Sequence, residues 1–194
     1  MYIANVGYDS ANYYVLGDSN NRLLVDVGWS QTLGKLTAML KRKGIALQDL
    51  GYLLATHYHP DHAGLAQELK NLGVRLIVLT EQRGSIPLLK SVIKPRDKYI
   101  DIRLDDNLEL TSDASRAFLK SIGIAGEIIS TPGHSPDSIT LILDKGAAFT
   151  GDLALPIMSD GSALVTQSWQ AIREHGAKMV YPGHGPVRTM TSIV

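Results

Sequence analysis

The chain has 194 residues, of which 44% are hydrophobic and 20% charged, so it can bury a core without staples and reads as a soluble globular protein. Its formal net charge is zero, which provides no electrostatic footprint for long nucleic acids or anionic lipid. It contains no cysteine, so disulfides, thiolate metal ligands and a cysteine nucleophile are excluded.

Residues 12–16 and 22–27 are runs of strand formers around the turn signal Gly17-Asp18-Ser19-Asn20-Asn21, which predicts a hairpin. Residues 31–43 carry Leu33, Leu36, Met39 and Leu40 at helical spacing, with Gly44 as the stop. Residues 50–55 read as a buried strand. From Pro60 the period changes to that of a helix, through Leu65, Leu69 and Leu72. Residues 75–79 form a further strand. Residues 81–98 begin like a helix and then place Lys90, Lys94, Arg96 and Lys98 around Pro95, a basic segment that could cover a site. Strands follow at 100–104 and 107–110, a helix at 111–122, strands at 127–130, 138–143 and 147–150, a helix at 166–175 and a strand at 178–181. The expectation is a single domain over 1–194, built of two similar βα halves that divide near residues 105–110.

The densest chemical signal is Thr56-His57-Tyr58-His59-Pro60-Asp61-His62, which holds three of the six histidines. In an extended segment residues two apart point the same way, so His57 and His59 can ligate one ion together. Asp61 and His62 lie beyond the bend and suit a neighbouring ion. Two Pro-Gly-His loops, ending in His134 and His184, each follow a strand and can supply further ligands. Asp152, after Thr150-Gly151, is a carboxylate able to bridge two ions. Without thiolates, these donors fit zinc, with iron or manganese as alternatives. Asp26, beside Gly28, reads as a supporting carboxylate or turn former. His175 reads as a helix-end cation outside the chemistry.

These motifs, in this order, resemble the metallo-β-lactamase-fold hydrolase superfamily. His57-x-His59-x-Asp61-His62, Thr131-Pro132-Gly133-His134, Thr150-Gly151-Asp152 and Tyr181-Pro182-Gly183-His184 all match, and Val25-Asp26-Val27-Gly28 is similar to its early strand-end motif. The resemblance spans essentially the whole chain. It implies an α/β fold, a four-layer αββα sandwich with a dinuclear site at one edge of the sheets. It also implies that His57, His59 and His134 hold one metal, that Asp61, His62 and His184 hold the second, and that Asp152 bridges them. Two divalent ions, zinc first, are the implied cofactors.

The bridging aspartate places the motif set closer to glyoxalase II-like thioesterases, lactonases and phosphodiesterases than to dinuclear β-lactamases, which generally lack it. The sequence shows no counterpart of the C-terminal helical domain of glyoxalase II. Leu153-Ala154-Leu155 replaces the tyrosine found shortly after the aspartate in lactonases, and Asp137 stands where the family usually has glycine. The implied activity is hydrolysis of a small ester, thioester or lactone by a metal-bridging hydroxide, with Asp61 as catalytic ligand and orienting group. A phosphodiesterase, a mononuclear-iron persulfide dioxygenase-like oxidoreductase and a non-catalytic metal-stabilised binding domain are the alternatives. Tyr58 and Trp29 are candidate substrate contacts. The expected partner is a small molecule. No long nucleic acid and no membrane are expected, the latter because no apolar run approaches the roughly 20 residues needed to cross a bilayer. No signal-peptide pattern is visible, and the expected location is cytoplasmic.

Overall fold

Adjacent residues of the central strands bury their side chains in different cores, and this alternation generates the layers. The computed structural model describes residues 2–18, 21–94 and 97–193. Ser19 and Asn20 of the predicted turn, and Pro95 and Arg96 of the basic segment, lie outside the described residues.

The first sheet contains β1 (Ile3–Asn5), β2 (Tyr14–Leu16), β3 (Arg22–Val25), β4 (Leu50–Leu54), β5 (Arg75–Leu79) and β6 (Leu108–Leu110), in that spatial order. β1, β2 and β3 pair antiparallel, whereas β3 to β6 are parallel. The second sheet contains β7 (Gly126–Ser130), β8 (Ile139–Leu143), β9 (Ala147–Gly151), β10 (Met179–Pro182) and β11 (Arg188–Thr189), ordered β11-β10-β9-β8-β7. β7, β8 and β9 form an antiparallel meander, β10 is parallel to β9, and β11 is an antiparallel edge.

Leu24, Leu53 and Leu76 face a core shared with Leu36 and Leu40 of α1 (Leu33–Arg42) and Leu69 of α3 (Ala66–Asn71). Their neighbours Leu23, Leu54 and Ile77 face a second core, between the sheets, with Leu141 and Phe149. Ile142 and Ala148 face a third core with Trp169 and Ile172 of α6 (Ala163–Glu174). The period of two thus gives each sheet two apolar faces. The result is the four-layer αββα sandwich, with α5 (Ser112–Ser121) linking the sheets and contributing Leu119 to the middle core.

Several predicted elements change. The helix expected from Pro60 divides into α2 (Pro60–Ala63) and α3 around Gly64-Leu65. A Cβ on Gly64 would collide with the Pro60 carbonyl and the Trp29–Ser30 backbone, so close packing requires glycine where the two helices meet. Residues 81–98 hold 3-10 turns over Thr80–Leu88 and one turn of α4 (Leu89–Val92), in place of a full helix. Pro87 removes a backbone donor inside that segment. Residues 100–104 carry no ladder, because Ile102 turns into the first core instead. β1 and β11 are too short to announce themselves by periodicity. No described helix is long and apolar enough to cross a membrane.

Candidate metal centre

β3 and β4 run parallel, and β7, β9 and β10 share one direction in the facing sheet. Their C-terminal ends deliver the chemistry-bearing residues. β4 ends at Leu54, and the chain bends at Thr56, His57 and His59 rather than running on as the extended segment expected from the sequence. The His57 and His59 rings nonetheless lie 4.5 Å apart, and His59 is the N-cap of α2, which carries Asp61 and His62. His134 follows β7, Asp152 follows β9 and His184 follows β10.

The structure brings all seven predicted ligands together in two groups. One holds His57, His59 and His134, and the other Asp61, His62, Asp152 and His184. Within each group the possible ligand atoms lie within 4.8 Å of one another. His59 Nδ1 and His134 Nε2 are 3.0 Å apart. Asp152 reaches toward both groups: its Oδ2 is 3.8 Å from His134 Nε2 and 3.5 Å from His184 Nε2. His184 Nε2 is also 3.2 Å from Asp61 Oδ2.

Buried polar partners aim these donors. Asp26 has a left-handed φ of 61°, and its carboxylate points back into the sheet edge. It accepts hydrogen bonds from the Thr56 amide at 2.6 Å, the Thr56 hydroxyl at 2.8 Å and His62 Nδ1 at 2.9 Å. Once His62 is neutral, its remaining proton therefore sits on Nδ1, which leaves Nε2 for the cluster. The Thr56 hydroxyl, having donated to Asp26, can accept from His57 Nδ1 at 3.2 Å. His184 Nδ1 donates to the Ser10 carbonyl at 2.7 Å, again freeing Nε2. Asn12 holds the same loop through the carbonyls of Pro182 and Gly185. Glycine is required at 183 by close approach: a Cβ there would lie 2.5 Å from Asp152 Oδ1 and 2.6 Å from His62 Cε1.

Electrostatics follow from this burial. Burial holds the His57 imidazole well below its usual range, aided by the neighbouring His62 charge. Burial likewise lowers His134 and outweighs the attraction of Asp152. Burial also opposes charging His62, but the Asp26 and Asp152 carboxylates prevail and push it up to about 10. For Asp152, burial opposes ionisation, yet contact with His62 and the charges of His62, His57 and His184 draw it down to about 2.

The donor set fits divalent metal. His57 Nε2, His62 Nε2 and Asp152 Oδ1 are buried polar atoms with no hydrogen-bond partner. Each such atom costs about 1–3 kcal/mol unless something binds it. His62 Nε2 and Asp152 Oδ1 are only 3.3 Å apart, but they are not aligned for a hydrogen bond. Three imidazoles in one group, and two imidazoles with two carboxylates in the other, suit borderline divalent ions.

Two further polar residues, not assigned by sequence reasoning, fix the ligand-bearing loops. The Asp137 carboxylate accepts the amide of Tyr58, between His57 and His59, at 2.8 Å. The fully buried Gln82 amide donates to the carbonyls of Ala55 at 3.0 Å and Asp137 at 3.1 Å. The position of Asp137, where glycine is usual, was the only visible signal. A cavity of about 370 Å³ adjoins the centre, lined by His134, Asp152 and His184 with Met158, Trp169 and Arg188 among its other walls. The sequence-predicted contacts do not line it. Tyr58 is buried in the first core, and Trp29 lines a separate hollow with Gln31, Val92 and Lys94. Lys90 pairs with Asp101 at 2.6 Å. His175 ends α6 and sits 2.8 Å from Glu127, away from the centre.

A family model described as the metallo-beta-lactamase superfamily matches residues 6–184. The chain is 28% identical over 187 residues to a beta-lactamase-like protein 2 homolog of Caenorhabditis elegans, covering 91% of this chain and 56% of that one. It is 29% identical over 185 residues to an atrochrysone carboxyl ACP thioesterase of Aspergillus fumigatus, covering 91% of this chain and 51% of that one. The chain thus spans about half the length of these curated relatives. A metallo-beta-lactamase family protein of Thermus thermophilus shares the fold, with a TM-score of 0.76 and 21% identity over 99% of this chain and 76% of that one. With this match running from before β2 to the last histidine of the centre, the chain belongs to the metallo-beta-lactamase superfamily.

Proposed function

We propose that this chain is a dinuclear metallohydrolase acting on a small ester, thioester or lactone, with thioesters favoured. The observation that carries this reading is the position of Asp152, with one carboxylate oxygen between His134 of one ligand group and His184 of the other. His57, His59 and His134 would hold one ion, Asp61, His62 and His184 the other, and Asp152 would serve both. When bound, such ions lower the pKa of water toward about 7 and polarise the substrate oxygen.

The protein's own contribution is positioning. Asp61 makes its contacts with His184 and His62 through Oδ2, leaving Oδ1 to accept a hydrogen bond from the attacking water. Asp26, Thr56 and the Ser10 carbonyl fix imidazole tautomers before substrate arrives, so little reorganisation is needed during reaction. Water adds to the acyl carbon, the carbon–oxygen or carbon–sulfur bond breaks, and the proton leaves with the alcohol or thiol. The thioesterase name of the Aspergillus relative supports the choice of thioesters.

The test is metal quantitation coupled to a hydrolysis screen of thioesters, lactones, phosphodiesters and a chromogenic β-lactam. Two zinc or manganese ions per chain with thioester or ester turnover is the expected result. One iron per chain with oxygen consumption, or full metal loading without turnover of any substrate, would overturn it.

A further inference from the structure

On the outer face of the second sheet, cross-strand register aligns Ile142 with Ala148, Ala148 with Val180, and Val180 with Arg188. Directly opposed residues on neighbouring strands project to the same face. The first three are buried under α6 with Trp169 and Ile172. The row then ends in a guanidinium that makes no hydrogen bond or ion pair with another described residue. Arg188 lines the cavity of about 370 Å³ that also contains Asp152 and His184, with Met158 and Trp169 supplying apolar wall. Thr150, two residues beyond Ala148 and so on the same face, lines it too. Its buried hydroxyl has no hydrogen-bond partner.

We infer that this cavity is the acyl pocket of the hydrolase proposed above, and that Arg188 selects acyl groups ending in a carboxylate. The inference rests on that hydrolase reading. The cavity's size suits a short acyl chain and its walls suit methylenes. A guanidinium matches a carboxylate through paired hydrogen bonds. One guanidinium also balances one negative charge, whereas a phosphate dianion would retain a charge beside the Asp152 carboxylate. A charged residue on an edge strand also deters edge-to-edge pairing, but that role leaves substrate preference untouched.

The test uses the zinc-loaded protein and two thioesters of N-acetylcysteamine. One carries a succinyl group. The other carries 4-methylpentanoyl, in which two methyls replace the carboxylate oxygens. Released thiol reports hydrolysis. Wild type is expected to favour the succinyl thioester in kcat/KM by about tenfold, as a charge-assisted hydrogen bond allows. R188M and R188Q are expected to lose that preference while hydrolysing the 4-methylpentanoyl thioester within about twofold of wild type, and R188K to fall between. Calorimetric binding of succinate and 4-methylpentanoate to wild type and R188Q gives a readout independent of turnover. If neither thioester reacts but R188Q still weakens succinate binding alone, the hydrolase reading falls and the anion site stands. If turnover occurs and the Arg188 variants change both substrates equally or neither, the Arg188 inference falls and the hydrolase reading stands. Absence of both effects overturns both.

Discussion

Asp26 Oδ2 lies 2.9 Å from His62 Nδ1, and both side chains are sealed from solvent. The same oxygen accepts the Thr56 hydroxyl proton, and that hydroxyl faces His57 Nδ1. A single buried carboxylate thereby orients one imidazole in each ligand group. It sits thirty residues upstream of Thr56 and 36 upstream of His62, at the end of the strand beside β4.

Removing this carboxylate should be costly. Asp26→Ala leaves His62 Nδ1 and the Thr56 amide without partners, and truncating a buried pair of this kind costs about 3–5 kcal/mol. Asp26→Asn preserves shape but can present a donor to His62, disturbing the tautomer. Its zinc affinity should fall about 10–100-fold, the usual effect of losing an outer-shell partner. Chelator competition measures the second effect and denaturant unfolding the first.

Asp152 and His59 separate folding from chemistry. Asp152→Ala and His59→Ala each remove a partly exposed donor at the sheet edge, away from the three apolar cores. Both variants should stay folded by circular dichroism and lose hydrolysis by about 10³-fold or more, as expected for members of a unit that acts together. A folded variant with wild-type turnover would sink the assignment.

The metal-free protein should have a stability maximum near pH 6.5. His62 is raised from 6.5 to about 10, so the folded state binds its proton more tightly. That contribution is fully present below the unfolded value and is lost as pH rises toward about 10. His57 is depressed by burial, so its contribution has the opposite sign and is lost as pH falls below 6.5. Asp152, drawn down to about 2, adds a further loss between the ordinary carboxylate value and about 2. Because His62 must shed its Nε2 proton to bind metal, zinc affinity should rise with pH across the neutral range and each binding event should release protons. Urea unfolding and chelator competition at stepped pH values check both trends.

Gln82→Leu keeps approximate volume while deleting a fully buried amide. The carbonyls of Ala55 and Asp137 would lose their donor, at about 1–3 kcal/mol for each unsatisfied group. For a chain of this size, about 2–4 °C per kcal/mol, the melting temperature should fall by about 5–20 °C. Metal binding at His57 and His59 should weaken as well, since Gln82 braces the loop that leads into them. Thermal unfolding with and without zinc distinguishes the two losses.

The sequence by itself determined which candidate donors stand together locally and how they divide. His57 and His59 are two apart before the helix start, and Asp61 and His62 lie beyond it. Covalent geometry alone separates those pairs. Proximity to Gly28 also marked Asp26 as a supporting carboxylate. Only the tertiary structure decided which distant strand ends meet. The middle core of Leu23, Leu54, Ile77, Leu141 and Phe149 stacks the sheets so that β4 and β9 end at the same edge. Ser10 supports His184 from 174 residues away. Tyr58 sits between two candidate ligands in sequence, yet its side chain enters the first core. Arg188 looks like an ordinary edge-strand charge until register places it in line with Val180 beside the cavity. Short-range spacing is set by bond geometry, whereas these relationships depend on how two sheets pack, which no local pattern encodes.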